Sequence, residues 1–324
     1  MLKQRGVLIF PEELCPEWEE RMYAAGLNLL GLSGMSPDPF GRSAAEVMEA
    51  FLTPENRAVL ERLESRGVDV EWEMHSLSCL LPRALFEEHP EWFRVNKEGR
   101  RTNDVNLCSS SEEALEEVSR RAAELARLYR PRTNRYHFWM DDIADSACYC
   151  PRCGDLSHSD QAMKVYNAII RGIRRVNPQA TQCYLAYHDT IQPPRLVKPE
   201  PGIFLEFAPM DRVFDKGIAD LSSEKNREQS RHLPELLAVF GTQGSQALDY
   251  WLDNSYFSNW TKPPKPFHLQ RKTLEADIRY YREMGIESVT TFACYLGEEY
   301  TALYPYGGEV EEYGRLLCEE SASG

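Results

Sequence analysis

The chain has 324 residues, 42% of them hydrophobic and 27% charged, a balance that excludes both disorder and collagen-like repeats. Its 37 basic and 51 acidic side chains leave a net charge of −14, which opposes a nucleic-acid backbone or an anionic membrane surface, so neither is expected as a partner. No run approaches the roughly twenty apolar residues of a membrane span, and residues 1–5 lead into a strand-like segment with no signal-peptide core, so the sequence reads as cytoplasmic.

In chain order, a strand is predicted over residues 6–10, then a helix over 17–25 and a second strand over 27–32. A long helix over 44–66 precedes a third strand at 68–74, and a helix over 111–129 precedes a fourth at 136–140. A helix over 161–176 leads to a fifth strand at 182–187. The next crossover, 189–202, holds Pro193, Pro194, Pro199 and Pro201 and reads as a loop before the sixth strand at 203–207. Helices over 223–240 and 269–284 flank a seventh strand at 247–252, and an eighth strand at 288–293 is followed by a helix over 310–319. Gly26, Gly67 and Gly285 stand where a helix should stop before a strand.

Eight strands alternating with helices in one chain of this length predict a (β/α)8 TIM barrel of the α/β class, filling residues 1–324 as one domain with an irregular fifth crossover. The long stretch 77–110 after strand three is the largest insertion. Loops after barrel strands surround the mouth, so this one is a candidate substrate wall.

Polar residues at the C-terminal strand ends are therefore the functional candidates. Strand three ends in His75, strand four in Asp141-Asp142, strand five in Tyr187-His188 and strand six carries Glu206. Strand seven carries Trp251, Asp253 and Asn254, and strand eight is followed by Tyr295 and Glu298. Carboxylates, histidines and aromatic rings around one mouth furnish a sugar site, since rings stack on pyranose faces and fixed carboxylates and amides hold hydroxyls. Adjacent carboxylates that converge also raise one another's pKa, leaving a proton available for general acid catalysis.

Phe138-Trp139-Met140-Asp141-Asp142-Ile143 resembles the strand-four motif of the N-acetylglucosaminidases of glycoside hydrolase family eighty-four. The resemblance implies that Asp141 orients the substrate's 2-acetamido group and that Asp142 is the general acid/base. Trp251-Leu252-Asp253-Asn254 is similar to that family's Trp-Asp-Asn stretch, which holds sugar hydroxyls, with Leu252 as an added residue. A broader resemblance, from about His75 to about Tyr256, is to the domain of unknown function 4838 family. It rests on His75-Ser76-Leu77, His89-Pro90-Glu91-Trp92-Phe93, Glu98-Gly99-Arg100, Asn106-Leu107-Cys108 and a Cys-x-Cys-x-x-Cys run. That family implies a barrel related to glycoside hydrolases.

The expectation is thus a retaining β-N-acetylhexosaminidase using substrate-assisted catalysis, with Asp141 and Asp142 catalytic and a carbohydrate or glycoconjugate as partner. His75, Tyr187, His188, Glu206, Trp251, Asp253, Asn254, Tyr295 and Glu298 are the expected substrate-binding residues. One rival pairs the strand-four acid with Glu206, Asp253 or Glu298 on a sugar lacking the acetamido group; another is a non-catalytic carbohydrate-binding barrel.

Nine cysteines, an odd number in a chain of this size, read as reduced thiols. Cys148, Cys150 and Cys153 are clustered enough for a structural zinc, with His158 or Cys108 as fourth ligand. No organic cofactor is expected, because neither a dinucleotide-binding glycine turn nor a phosphate loop is present.

Overall fold

A computed structural model of the chain describes residues 2–34 and 42–319. Strands β1 (Gln4–Ile9), β2 (Leu29–Gly34), β3 (Asp69–His75), β4 (Arg135–Trp139), β5 (Thr181–Ala186), β6 (Ile203–Phe207), β7 (Gln246–Asp249) and β8 (Ser288–Phe292) form a closed barrel in sequence order. Every neighbouring pair is parallel, and β1 closes on β8 with Gly6 opposite Thr290. This is the (β/α)8 TIM barrel. Its strands are rich in Val, Leu, Ile and aromatic residues because the outer face is covered by helices.

The large helices wrap the barrel through apolar stripes. Those at Glu112–Leu128 and His158–Arg174 are the longest and bury one side each, with Ser111 and Ser157 capping their first turns through side-chain oxygens. Gly67 (φ 85°) and Gly285 (φ 79°) take the left-handed turn that ends a helix before β3 and β8.

Two predicted helices are each two. The span 44–66 divides into Ala44–Phe51 and Pro54–Ser65, because Pro54 cannot donate a backbone hydrogen bond and Thr53 caps the second helix from its side chain. The span 223–240 divides into Glu224–Ser230 and Leu233–Phe240, where Pro234 has the same effect. Strand β7 is shorter than predicted. It stops at Asp249, and Asp253 caps a short helix, Asn254–Phe257.

The fifth crossover contains only the 3-10 turn His188–Thr190 among the described residues. Its backbone is held instead by Asp160, whose Oδ1 accepts from the N–H groups of Arg195, Leu196 and Val197 at 2.9, 2.7 and 2.9 Å. A side chain thus does the work that a helix would do with its own carbonyls. The loop after β3 is the longest, crossing short helical turns at Leu77–Leu80, Arg83–Phe86 and Pro90–Trp92 before reaching Glu112.

Candidate active site at the barrel mouth

Inward-facing residues inside the barrel are unusually polar. Glu71 and Glu73 on β3, Arg135 and His137 on β4, Glu206 on β6 and Gln246 on β7 converge there, and all except Arg135 are wholly buried. The His137 ring lies 3.0 Å from both Glu71 Oε2 and Glu206 Oε1. Glu206 also accepts from Trp139 Nε1 at 2.7 Å, so Trp139 forms the ceiling of this network and the floor of the space above it.

That space is a cavity of about 740 Å³, counting the part open to solvent, at the C-terminal ends of the strands. Its walls are largely aromatic: Phe10, Trp139, Tyr187, Tyr250, Phe292 and the half-exposed Trp260. Its polar groups are His75, Asp142, Asp253, Ser33 and Ser255. The Tyr250 ring stacks on Phe292 at 5.4 Å between centroids. Tyr187 and Tyr250 hold their hydroxyl protons firmly, through burial first and then through the charges of Asp142 and, more weakly, Asp253. Both tyrosines line the same cavity as the two carboxylates, and the Tyr187 hydroxyl donates to Met210 Sδ at 3.0 Å.

Asp142 is the open carboxylate of the pair, with 46% of its side chain exposed and His75 Nε2 4.0 Å away. His75 Nδ1 lies 2.6 Å from the carbonyl of Met140, so that nitrogen carries the proton and the ring is fixed at the mouth. Asp253 is buried. Its Oδ1 accepts from Ser255 N, Ser255 Oγ and Tyr256 N at 3.1, 2.5 and 3.2 Å, while burial pushes its pKa up to about 6 against those donors.

Asp141 faces elsewhere. Its Oδ2 is ion-paired with Arg83 and accepts from the backbone N–H of Asn106 at 2.5 Å, and its own N–H donates to Asn106 Oδ1 at 3.1 Å. It lines a side chamber with Asn106, His158, His188 and Asp189, next to the mouth and sharing His75 and Tyr187 with it. Consecutive residues at the end of β4 point to different sides, and the β3 loop supplies the partners that hold Asp141 on its side.

The other expected residues are dispersed. His188 lines the side chamber and pairs with Asp211 Oδ2 at 2.8 Å. Glu206 lies under Trp139 rather than in the mouth. Trp251 packs between barrel and helices against Tyr281 and Tyr313, with its indole N–H on Asp277 Oδ2 at 2.9 Å. Asn254 is buried in the short helix after β7 and donates to the carbonyl of Lys265 at 3.0 Å. Tyr295 and Glu298 line a separate rim cleft with Glu13 and Lys262. Tyr250, Phe10 and Met210 are mouth residues that the sequence reading did not single out. Tyr250 was legible only with β7 ending at Asp249, since that sets which residue of Tyr250-Trp251 turns inward.

Non-glycine residues in left-handed backbone conformation gather on these loops: Asn106 (φ 44°), His188 (φ 43°), Trp260 (φ 51°) and Tyr295 (φ 61°). Such conformations cost free energy and persist where the surrounding contacts impose them.

Beside the side chamber, Cys108 from the β3 loop meets Cys148, Cys150 and Cys153 from the β4 loop, all four buried. His158, the other expected fourth member, instead turns to Asp189 Oδ2 at 3.3 Å and the Tyr149 hydroxyl at 3.1 Å.

The family model of DUF4838, a domain of unknown function, matches residues 57–312, which include β3 through β8 and both loops that carry Asp142 and Asp253. The chain belongs to that family. No curated protein matches the DUF4838 chain in sequence. Among solved structures it resembles Gan42B, a GH42 beta-galactosidase from G. stearothermophilus, at 14% identity and a TM-score of 0.58, over 98% of this chain and 56% of that one. The beta-galactosidase from Bacillus circulans sp. alkalophilus is similar at 12% identity and 0.53, over 98% and 55%. Cellulose synthase subunit Z from Clostridioides difficile gives 10% and 0.52, over 98% of this chain and all of that one. The DUF4838 chain thus spans little more than half the length of these beta-galactosidases. At these identities the likeness is one of fold.

Proposed function

We propose that the chain is a glycoside hydrolase acting at the mouth cavity, with Asp142 as general acid/base and Asp253 as the second carboxylate. The observation that carries the reading is the placement of these two carboxylates, from the β4 and β7 sides, on one aromatic-walled cavity that two un-ionised tyrosines also line. A cavity of this size with few polar groups suits a small polar ligand, and its rings suit the apolar faces of a sugar. The fold's likeness to beta-galactosidases agrees with a sugar substrate without naming one. No helix among the described residues is long and apolar enough to cross a membrane.

In this reading Asp142 gives its proton to the glycosidic oxygen as the C1–O bond breaks, with the bonding pair staying on that oxygen. The Asp253 carboxylate faces C1 through Oδ2, because Oδ1 is occupied by the helix N-terminus. Product anomer analysis reports its part: retention means that it bonds C1 and is released by water, inversion that it takes a proton from the attacking water. The substrate-assisted route asks Asp141 to polarise an acetamido group. Its engagement by Arg83 and Asn106 in the side chamber favours the two-carboxylate route instead.

Paired aryl glycosides with and without the 2-acetamido group, in both anomeric forms, test the reading. Asp142→Asn is expected to lower kcat/KM on poor leaving groups by roughly a thousandfold or more while binding persists, and Asp253→Asn to lose turnover on all leaving groups. Turnover confined to the acetamido substrates and intact in Asp253→Asn would restore the substrate-assisted route. Binding without turnover by the wild type would leave a carbohydrate-binding barrel.

A further inference from the structure

Four buried thiols from two loops meet beside the active-site chamber, and neither the fold nor the proposed hydrolysis uses them. Cys108 Sγ lies 3.7 Å from Cys150 Sγ and 3.8 Å from Cys153 Sγ, and one ligand atom from each of the four cysteines lies within 4.8 Å of the others. A disulfide would bring two sulfurs to about 2 Å. Four thiolates around a zinc ion at about 2.3 Å stand about 3.8 Å apart, the edge of a tetrahedron of that radius.

The surrounding backbone is arranged for sulfur ligands. Val95 N–H donates to Cys148 Sγ at 3.3 Å, and Ser110 Oγ lies 3.2 Å from Cys153 Sγ. The turn Cys150-Pro151-Arg152-Cys153 closes through Cys153 N–H on the carbonyl of Cys150 at 2.9 Å, so both its thiols face one point. The Val95 N–H offsets part of the negative charge that four thiolates bring to one divalent ion. An all-sulfur tetrahedron with no open position suits a structural ion.

We propose that Cys108, Cys148, Cys150 and Cys153 bind one zinc ion, which joins the β3 loop to the β4 loop and so fixes Asp141, the residue before the strand-four acid Asp142. The link to the site is short. Asn106, two residues before Cys108, binds Asp141 through its backbone and side chain, and its Nδ2 donates to the carbonyl of Ser146 at 3.3 Å. Binding takes the proton from each thiol that is not already ionised and passes it to solvent.

Metal analysis and native mass spectrometry of the full chain, purified without a histidine tag, are expected to find one zinc per chain, released by a mercurial thiol reagent. Cobalt(II) in its place is expected to show the thiolate-to-metal absorption of a tetrahedral sulfur site. Cys108→Ser is expected to weaken zinc binding tenfold or more. Hydrogen exchange of residues 92–110 and 141–153 should rise on zinc removal while β1 and β2 stay protected.

A metal-free native chain with four titrating thiols, a mass lower by two hydrogens per disulfide, or an iron chromophore would each overturn the zinc assignment. Unchanged exchange after zinc removal would overturn the positioning role. The wild-type measurements decide the matter even if Cys108→Ser does not fold, and none needs a substrate, so they stand apart from the proposed hydrolysis.

Discussion

Asp253 shows how one side chain takes two tasks. One oxygen caps the Asn254–Phe257 helix through Ser255 and Tyr256, which fixes the carboxyl plane and leaves the other oxygen for the cavity. Burial raises its pKa to about 6, so it is protonated below that value and ionised above it. As the second carboxylate it must be ionised, so kcat/KM is expected to rise with pH through an acid limb near 6. A profile that falls through the same pH would exchange the roles of Asp253 and Asp142. At this scale the sequence named Asp142 and Asp253 as candidates through their places near strand ends. The resemblance gave Asp141 and Asp142 separate roles in one site, whereas the side-chamber placement of Asp141 depends on Arg83 and Asn106, which are distant in sequence.

The two longest helices, Glu112–Leu128 and His158–Arg174, pack at a point where Gly172 meets the backbone of Ser119. A Cβ at Gly172 would lie 1.9 Å from the Ser119 carbonyl oxygen. On propensity alone, Gly to Ala inside a helix should stabilise by about 1 kcal/mol. Here overpacking of about 1–3 kcal/mol or more outweighs it. Gly172→Ala is therefore expected to lower the denaturant midpoint, and a raised midpoint would show that these helices have room to separate. The pattern of apolar residues located both helices. It ran through Pro54 and Pro234 elsewhere because periodicity continues across a break that caps and a missing N–H impose.

Across the whole barrel, the interior balances its charge. Arg135 brings a guanidinium. Burial works against a charged His137, yet Glu206 and Glu73 outweigh it and hold the ring protonated. Burial likewise opposes ionised Glu71 and Glu206, but Arg135 and His137 keep the first below the ordinary carboxylate range and His137 keeps the second there. Glu73 is left with burial and two carboxylate neighbours against His137 alone, and its pKa rises well above 4.5. Two cations, two carboxylates and one neutral acid sum to zero, as a dry interior requires.

Because folded Glu73 holds its proton above the pH at which the unfolded chain releases it, its contribution is full below about pH 4.5 and is lost as pH rises toward the folded pKa. Glu73→Gln removes that loss. The variant's stability relative to wild type should therefore improve between pH 5 and pH 8 in paired denaturant titrations, and a constant difference would mean that Glu73 is ionised in the fold.

By itself the sequence determined the barrel, since alternating short apolar runs and amphipathic stretches of this number have one closed arrangement that buries both. It also determined which strand ends carry acids, because chain order in such a barrel fixes where each strand ends. Tertiary structure decided which of those residues meet. Glu206 became part of the interior beneath Trp139, Trp251 turned to the helix layer, and Tyr295 and Glu298 moved to a cleft of their own. The reason is physical: a strand's alternation sets sides only while it remains a strand, and beyond its last residue the direction of each side chain is set by loops arriving from elsewhere in the chain. The choice of Cys108 over His158 beside the cysteine run that begins at Cys148 is the same effect, since the sequence offered both and a contact between two loops decided.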